Sequence, residues 1–169
     1  MRVFVATTLA GLTAAHLRGT FGQEPVGESP AVLGHAVTPS VREWYVSDDL
    51  EELEFAVLLE AAEASLRLLA DQNDGQLRRV VVAVDVPDET VYPLNSARFR
   101  SAVGIRRPVP FDAVVSVHVD EQEASGTVSA AIVALPAADA GDADSQFLLD
   151  EAEACDLLWY DVTEVPHIR

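Results

Sequence analysis

Residues 79–86 read Arg-Val-Val-Val-Ala-Val-Asp-Val, and this run decides the class of the fold. Its valines favour extended backbone, and its apolar positions follow one another without alternation. Both faces of such a strand must be covered. The cover is close at hand. Upstream, residues 48–69 place Leu50, Leu53, Val57, Ala61 and Leu68 on one helical face, with Phe55, Leu58, Ala62, Leu66 and Leu69 beside them. Glu52, Glu60, Glu63 and Arg67 line the other face, and Asp48 with Glu51 resembles a capping box. A buried strand next to a wide amphipathic helix predicts an α/β fold: one domain over 1–169, with a mixed β-sheet packed by the long helix and by a C-terminal helix.

Working outward, Arg2–Ala6 predicts a first strand and Thr8 caps a helix over Leu9–Arg18. Gly34–Thr38 reads as a short strand, and Thr38-Pro39 as a helix start, with a capping hydroxyl and then proline at the first helical position. The loop Asp71–Gly75 ends the long helix. Downstream come an edge strand near Ala102–Arg106, a strand over Ala113–Val119 and a short helix over Val128–Leu135 stopped by Pro136. A last helix is expected over about Ser145–Trp159, where Leu148, Ala152, Cys155 and Trp159 recur at helical spacing.

Twenty-eight acidic residues face eleven basic ones, all arginine, for a formal charge of -17. Phosphate backbones and anionic membranes repel such a surface, so neither nucleic acid nor membrane is an expected partner. Arginine without lysine also fits the codon bias of a GC-rich genome. A single cysteine, Cys155, excludes an internal disulfide or a multi-cysteine metal site. Val3–Ala15 loosely imitates a signal peptide, but Thr7, Thr8 and Thr13 interrupt it and no A-x-A site follows. These features predict a cytoplasmic protein.

Motifs for chemistry are weak. Ser116, His118 and Asp120 are triad residue types, but on one strand they stand about 6.5–7 Å apart as parallel neighbours rather than head to tail. Asp142, Asp144, Gln146 and Glu153 imitate a calcium loop, yet Phe147 stands where the turn needs glycine. This leaves at most a weak divalent site around Asp139–Asp150, so no cofactor and no metal are assigned. Arg98, Arg100, Arg106 and Arg107 form the one basic concentration and are candidate anion ligands. Arg42, Trp44 and Tyr45, together with Trp159 and Tyr160, are the candidate partner-binding residues, because such side chains concentrate binding energy at interfaces. The chain lacks the paired H-x-T or H-x-S motifs of two-histidine phosphoesterases, and it also lacks a P-loop and a G-x-G-x-x-G turn.

Several segments resemble an uncharacterised family of small acidic actinobacterial proteins. They are the Met-Arg-Val-Phe start, Ala36–Pro39 with Arg42–Tyr45, Glu51–Glu54, Arg79–Pro87, Val117–Asp120, and Asp150–Glu153 through Leu157–Asp161. The resemblance implies an intracellular bacterial protein and brings no activity. The function expected from the residues is a non-enzymatic protein-binding or regulatory module, and the motifs lean away from an enzyme. The alternatives are a small-molecule or metal-dependent enzyme using carboxylates such as Asp85, Asp120 or Asp150, and anion binding through the Arg98–Arg107 cluster. Acidic mimicry of DNA is a further alternative.

Overall fold

A computed structural model describes residues 1–25, 27–72 and 75–168. In chain order the elements are β1 (Arg2–Thr7), α1 (Leu9–Arg18), β2 (Thr20–Phe21), β3 (Val32–His35), α2 (Pro39–Tyr45), α3 (Leu50–Gln72) and β4 (Val80–Asp85). They continue as β5 (Val91–Pro93), β6 (Ala102–Ile105), β7 (Val109–Pro110), β8 (Val114–Asp120), α4 (Ser125–Asp139), α5 (Ala143–Glu153) and β9 (Leu157–Tyr160). Part of the expected helix-ending loop Asp71–Gly75 lies outside the described residues.

The α/β class holds. Seven strands form one sheet in the order β5-β6-β3-β1-β4-β8-β9, while β2 and β7 pair separately. Every pairing among the described residues is antiparallel. The valine run is β4, second to β1 at the centre, and it is buried on both faces as its composition demands. Val80, Val82 and Val84 pack with Val3, Val5, Val117 and Val119 beneath Leu9, Leu12 and Ala15 of α1. On the opposite face Val81 and Ala83 join Phe4 beneath Leu53, Val57 and Ala61 of α3. Each buried β-branched or leucine side chain contributes about 1.5–3 kcal/mol, so the first cluster holds α1 against one face of the sheet and the second holds α3 against the other.

Ser65 fixes it further. From the middle of α3 its hydroxyl donates to the Thr7 carbonyl at 2.7 Å and accepts from the Val80 amide at 2.8 Å. It thereby bridges the ends of β1 and β4. Beyond this point the C-terminal part of α3 leaves the sheet, and Leu66 and Leu69 enter a third cluster with Val128, Ala131 and Leu135 of α4 and with Leu149 and Ala152 of α5.

The helix ends follow their local chemistry. Thr8 caps α1 and Thr38 caps α2, each hydroxyl accepting from the amide three residues on. At the start of α3 the cap is Asp49 rather than Asp48, its Oδ1 accepting from Glu51 and Glu52. Pro136 does not stop α4, which runs on to Asp139. It sits in the last turn, where little helix remains to be disrupted.

The last helix is shorter than its spacing suggests. It ends at Glu153, and Leu157–Tyr160 forms β9, paired with β8 from Asp120↔Leu157 to Val117↔Tyr160. The helical recurrence of Cys155 and Trp159 is coincidental. A free edge on β8 offers a ladder to a segment rich in Leu, Trp and Tyr, and tertiary pairing overrides the local period.

Candidate functional site

The surface that departs most from an ordinary exterior is the corner between α2 and α3. Among the seven residues of α2 only Val41 is buried, so the helix rests on the molecule through one side chain and presents the others. Trp44 is 62% exposed, Val46 89% and Phe55 61%, with Tyr45 and Leu50 also exposed. Tyr45 and Phe55 line the same depression. Val46 lies in the left-handed region at φ 49, its amide donating to the Arg42 carbonyl at 3.0 Å. A β-branched residue there is held at a cost of about 1–2 kcal/mol, and the turn aims an apolar side chain into solvent. Arg100 stacks on the Trp44 ring at 3.8 Å and limits its motion. Glu43, Asp48, Asp49, Glu51 and Glu52, all exposed, are interleaved with these apolar groups.

Behind the corner, a cleft of about 510 Å³ runs between α3, α5 and the segment carrying Ala97 and Arg98. Arg79 lines it and is only 2% exposed. Its Nε and Nη2 donate to the Asp120 carboxylate at 2.7–3.1 Å, and Nη2 also donates to the Cys155 carbonyl. At the rim, Arg67 holds Asp139 through two bonds of 2.9 Å and also reaches Glu63. Arg98 lies 3.0 Å from Asp139 and 3.5 Å from Glu63. The Arg67 and Arg98 guanidiniums hold the Asp139 carboxyl below its ordinary range, the Arg67 hydrogen bond contributing most.

Glu153 also lines the cleft. Its carboxyl is raised first by burial, then by the negative charges of Asp150 and Glu63, against an opposing effect from Arg79. The Tyr45 phenol is raised too, by burial first and then by Glu60 and Glu153. In the depression that Tyr45 and Phe55 line, Glu52, Glu60, Glu63 and Glu153 outnumber Arg98.

Glu60, on the same side of α3, anchors the wall opposite. Its Oε2 accepts from the Ser101 hydroxyl at 2.6 Å and from the Ser101 amide at 3.1 Å. The Ser101 oxygen lies 2.8 Å from His35 Nδ1. Because Ser101 gives its one proton to Glu60, it must accept from His35, which puts a proton on Nδ1 and, in the neutral ring, selects the Nδ1–H tautomer. Burial depresses His35 to about 4, and it is this that keeps the ring neutral near pH 7.

The residues singled out from sequence are distributed unevenly. Arg42, Trp44 and Tyr45 share the corner. Trp159 and Tyr160 stand on the edge strand β9, where the pair divides between faces: Trp159 is 60% exposed opposite His118, while Tyr160 packs on the valine cluster opposite Val117. The arginines are dispersed among separate contacts, Arg98 to Glu63 and Asp139, Arg100 to Trp44, and Arg106 over Tyr92 at 4.5 Å. Arg107 is exposed.

Ser116 Oγ and His118 Nε2 do come within 3.2 Å, closer than their strand spacing implies. Asp120 is bound to Arg79, so no triad forms. Asp85 pairs with Arg2 at 2.7 Å, Asp142 caps α5, and Asp150 accepts from Gln146. Among the described residues no three of His, Cys, Asp and Glu come together in a metal-holding group. No helix among them is long and apolar enough to cross a membrane.

Sequence reasoning passed over Phe55 as a surface group, Glu153 as part of the cleft lining, and Arg79 with Asp120 as a pair. The last was within reach. Arg79 precedes one apolar strand and Asp120 ends another, and antiparallel pairing of Val80 with Val119 sets the two opposite each other.

The chain has no match among curated proteins or solved structures. A family model does match, over residues 1–168, and it describes a family of unknown function (DUF6912). With essentially the whole length covered, the chain belongs to this family.

Proposed function

We propose that the protein is a non-enzymatic binding module that docks a basic, apolar segment of another protein at the α2–α3 corner. One observation carries this reading: Trp44, Tyr45, Val46, Leu50 and Phe55, five large apolar side chains, stand exposed within one turn-and-helix segment. Contiguous exposed apolar surface rimmed by polar groups marks interaction sites, and aromatic anchors supply most of the energy at such sites. The chemistry of the partner follows from the rim. Carboxylates alternate with the apolar groups, in a chain of charge -17, so a segment carrying arginine or lysine beside leucine or aromatic residues is complementary. The same charge supports a partner other than nucleic acid. The lone cysteine supports a reducing, cytoplasmic setting.

The test compares wild type with Trp44→Ala, Phe55→Ala and a charge variant, Glu51→Lys with Glu52→Lys, as baits in the same host lysate, with circular dichroism to verify the fold. The reading expects one partner that is lost from all three folded variants and released from wild type by salt. A partner retained by all three variants would place the docking surface elsewhere and end this proposal.

A further inference from the structure

The sheet ends on a strand that is open to a further one. The Asp120 amide donates to the Arg79 carbonyl at 3.1 Å, so at Asp120 the backbone of β8 turns its groups towards β4. Antiparallel ladders alternate residue by residue, so His118 also bonds towards β4, while Val117 and Val119 bond towards β9. Their partners there are Tyr160 and Leu158. Leu157 and Trp159 therefore turn their N–H and C=O groups away from β8, past the last strand of the sheet. No described residue hydrogen-bonds any of these four groups.

The two edges of the sheet differ. β5 is three residues long and ends in Pro93, which has no N–H to offer, and Arg106 stacks on its Tyr92. That edge is blunted in the way natural sheets blunt theirs. β9 reads Leu-Leu-Trp-Tyr, without a proline or a charge, and its register with β8 is unbroken. Trp159 is 60% exposed and Leu158 38%. As neighbours on a strand they lie on opposite faces, so a strand added here finds apolar surface on both sides of the sheet.

The flanks of β9 select the kind of strand that fits. Asp156 and Asp161, both exposed, bracket it, about 17 Å apart for five steps of extended chain. Hydrogen bonds from Thr163 hold the Asp161 carboxyl below its ordinary range, so it is charged at neutral pH. A second copy would bring the same aspartates to the seam and join two chains of charge -17, which mutual repulsion opposes. A strand with a basic residue at each end meets Asp156 and Asp161 with the opposite sign, and such cross-strand pairs stabilise a ladder.

We propose that the edge of β9 binds an extended segment of another protein by strand addition, the segment carrying an arginine or lysine at each end of a four-residue stretch of apolar or β-branched residues. The outward groups of Leu157 and Trp159 supply the main-chain bonds, Asp156 and Asp161 hold the basic ends, and Trp159 and Leu158 flank the stretch on either face. This edge belongs to another element than the α2–α3 corner and acts independently of it.

Calorimetric titration of the intact protein with the peptide Arg-Val-Tyr-Val-Thr-Arg, capped at both ends, tests this. Its arginines are spaced as Asp156 and Asp161 are. The expected result is saturable binding, weakened about tenfold or more when glutamate replaces both arginines. Two further peptides carry N-methyl groups on alternate amides, one on the two valines and the other on the tyrosine and threonine. Only the set turned towards β9 should matter, so one should bind about tenfold or more weakly and the other as before. In the protein, Trp159→Pro removes an outward N–H and leaves the ladder to β8, so it should abolish binding that Trp159→Ala only weakens. If the proline variant fails to fold by circular dichroism, the methylated pair decides alone. The proposal is overturned if the peptide does not bind, if the two methylated peptides bind alike, or if the glutamate peptide binds as tightly. Loss of binding in Trp44→Ala would place the peptide on the corner and overturn it too. So would a sedimenting dimer that Trp159→Pro splits, which would give the edge to a second copy.

Discussion

Arg79 and Asp120 form an ion pair whose side chains are 2% and 0% exposed, with Nη2 2.7 Å from Oδ1. Asp120 Oδ2 also accepts from the Arg79 amide, and the Asp120 amide donates to the Arg79 carbonyl, so the pair closes the ladder between β4 and β8. Removing one charge strands the other in the interior. Asp120→Asn should cost about 3–5 kcal/mol, read as a lower urea midpoint at unchanged slope. The double change Arg79→Met with Asp120→Leu should cost less than Asp120→Asn alone, because neither charge then remains to be solvated.

His35 makes stability depend on pH. Its ring is depressed to about 4 from an ordinary 6.5 by burial, so between these values the unfolded chain binds the proton and the folded one does not. The contribution is fully present above pH 6.5, is lost progressively as pH falls towards 4, and levels off below that. At about 1.4 kcal/mol per pH unit, the total is about 3 kcal/mol. Urea titrations over that window should show His35→Gln losing less stability than wild type by about this amount.

At the corner, stability and function should separate. Trp44→Ala and Phe55→Ala remove exposed groups, so each should alter unfolding free energy by about 1 kcal/mol or less. Partner capture should fall in both.

Val46 tests the same separation from the other side. Glycine adopts the left-handed region freely, so Val46→Gly should stabilise the fold by about 1 kcal/mol. It should also weaken partner capture, since it deletes an apolar group that is 89% exposed. Thermal melts paired with capture assays read both effects in one preparation.

What was legible in the sequence was what depends on composition and local period. The valine run marked β4 as buried on both faces, and the periodic leucines marked α3. Thr8 and Thr38 marked their helix starts, because a capping hydroxyl needs only its own amide neighbours. What depends on pairing was not legible. The helical spacing of Cys155 and Trp159 concealed β9, since nothing local shows that β8 has a free edge. The corner was found half by its tryptophan and tyrosine. Phe55 escaped because its place beside the apolar stripe of α3 looks like core until α2 is seen to stop short of covering it. Arg98–Arg107 looked like one cluster because four arginines are close in sequence, although three of them find separate partners in space.

The place of β1 bears on how the chain reaches this state. β1 is the earliest of these strands to leave the ribosome, yet it lies near the centre of the sheet, and Arg2 finds Asp85 83 positions later. The edge of β1 that β4 occupies therefore stays unpaired until Asp85, 83 positions after Arg2, has been made, and β8 and β9 follow later still. Contacts of such long range close slowly, and an apolar strand held open during synthesis invites association between nascent chains. Carboxylates along the emerging polypeptide give those chains a common charge, and mutual repulsion opposes that association until the partner strands arrive.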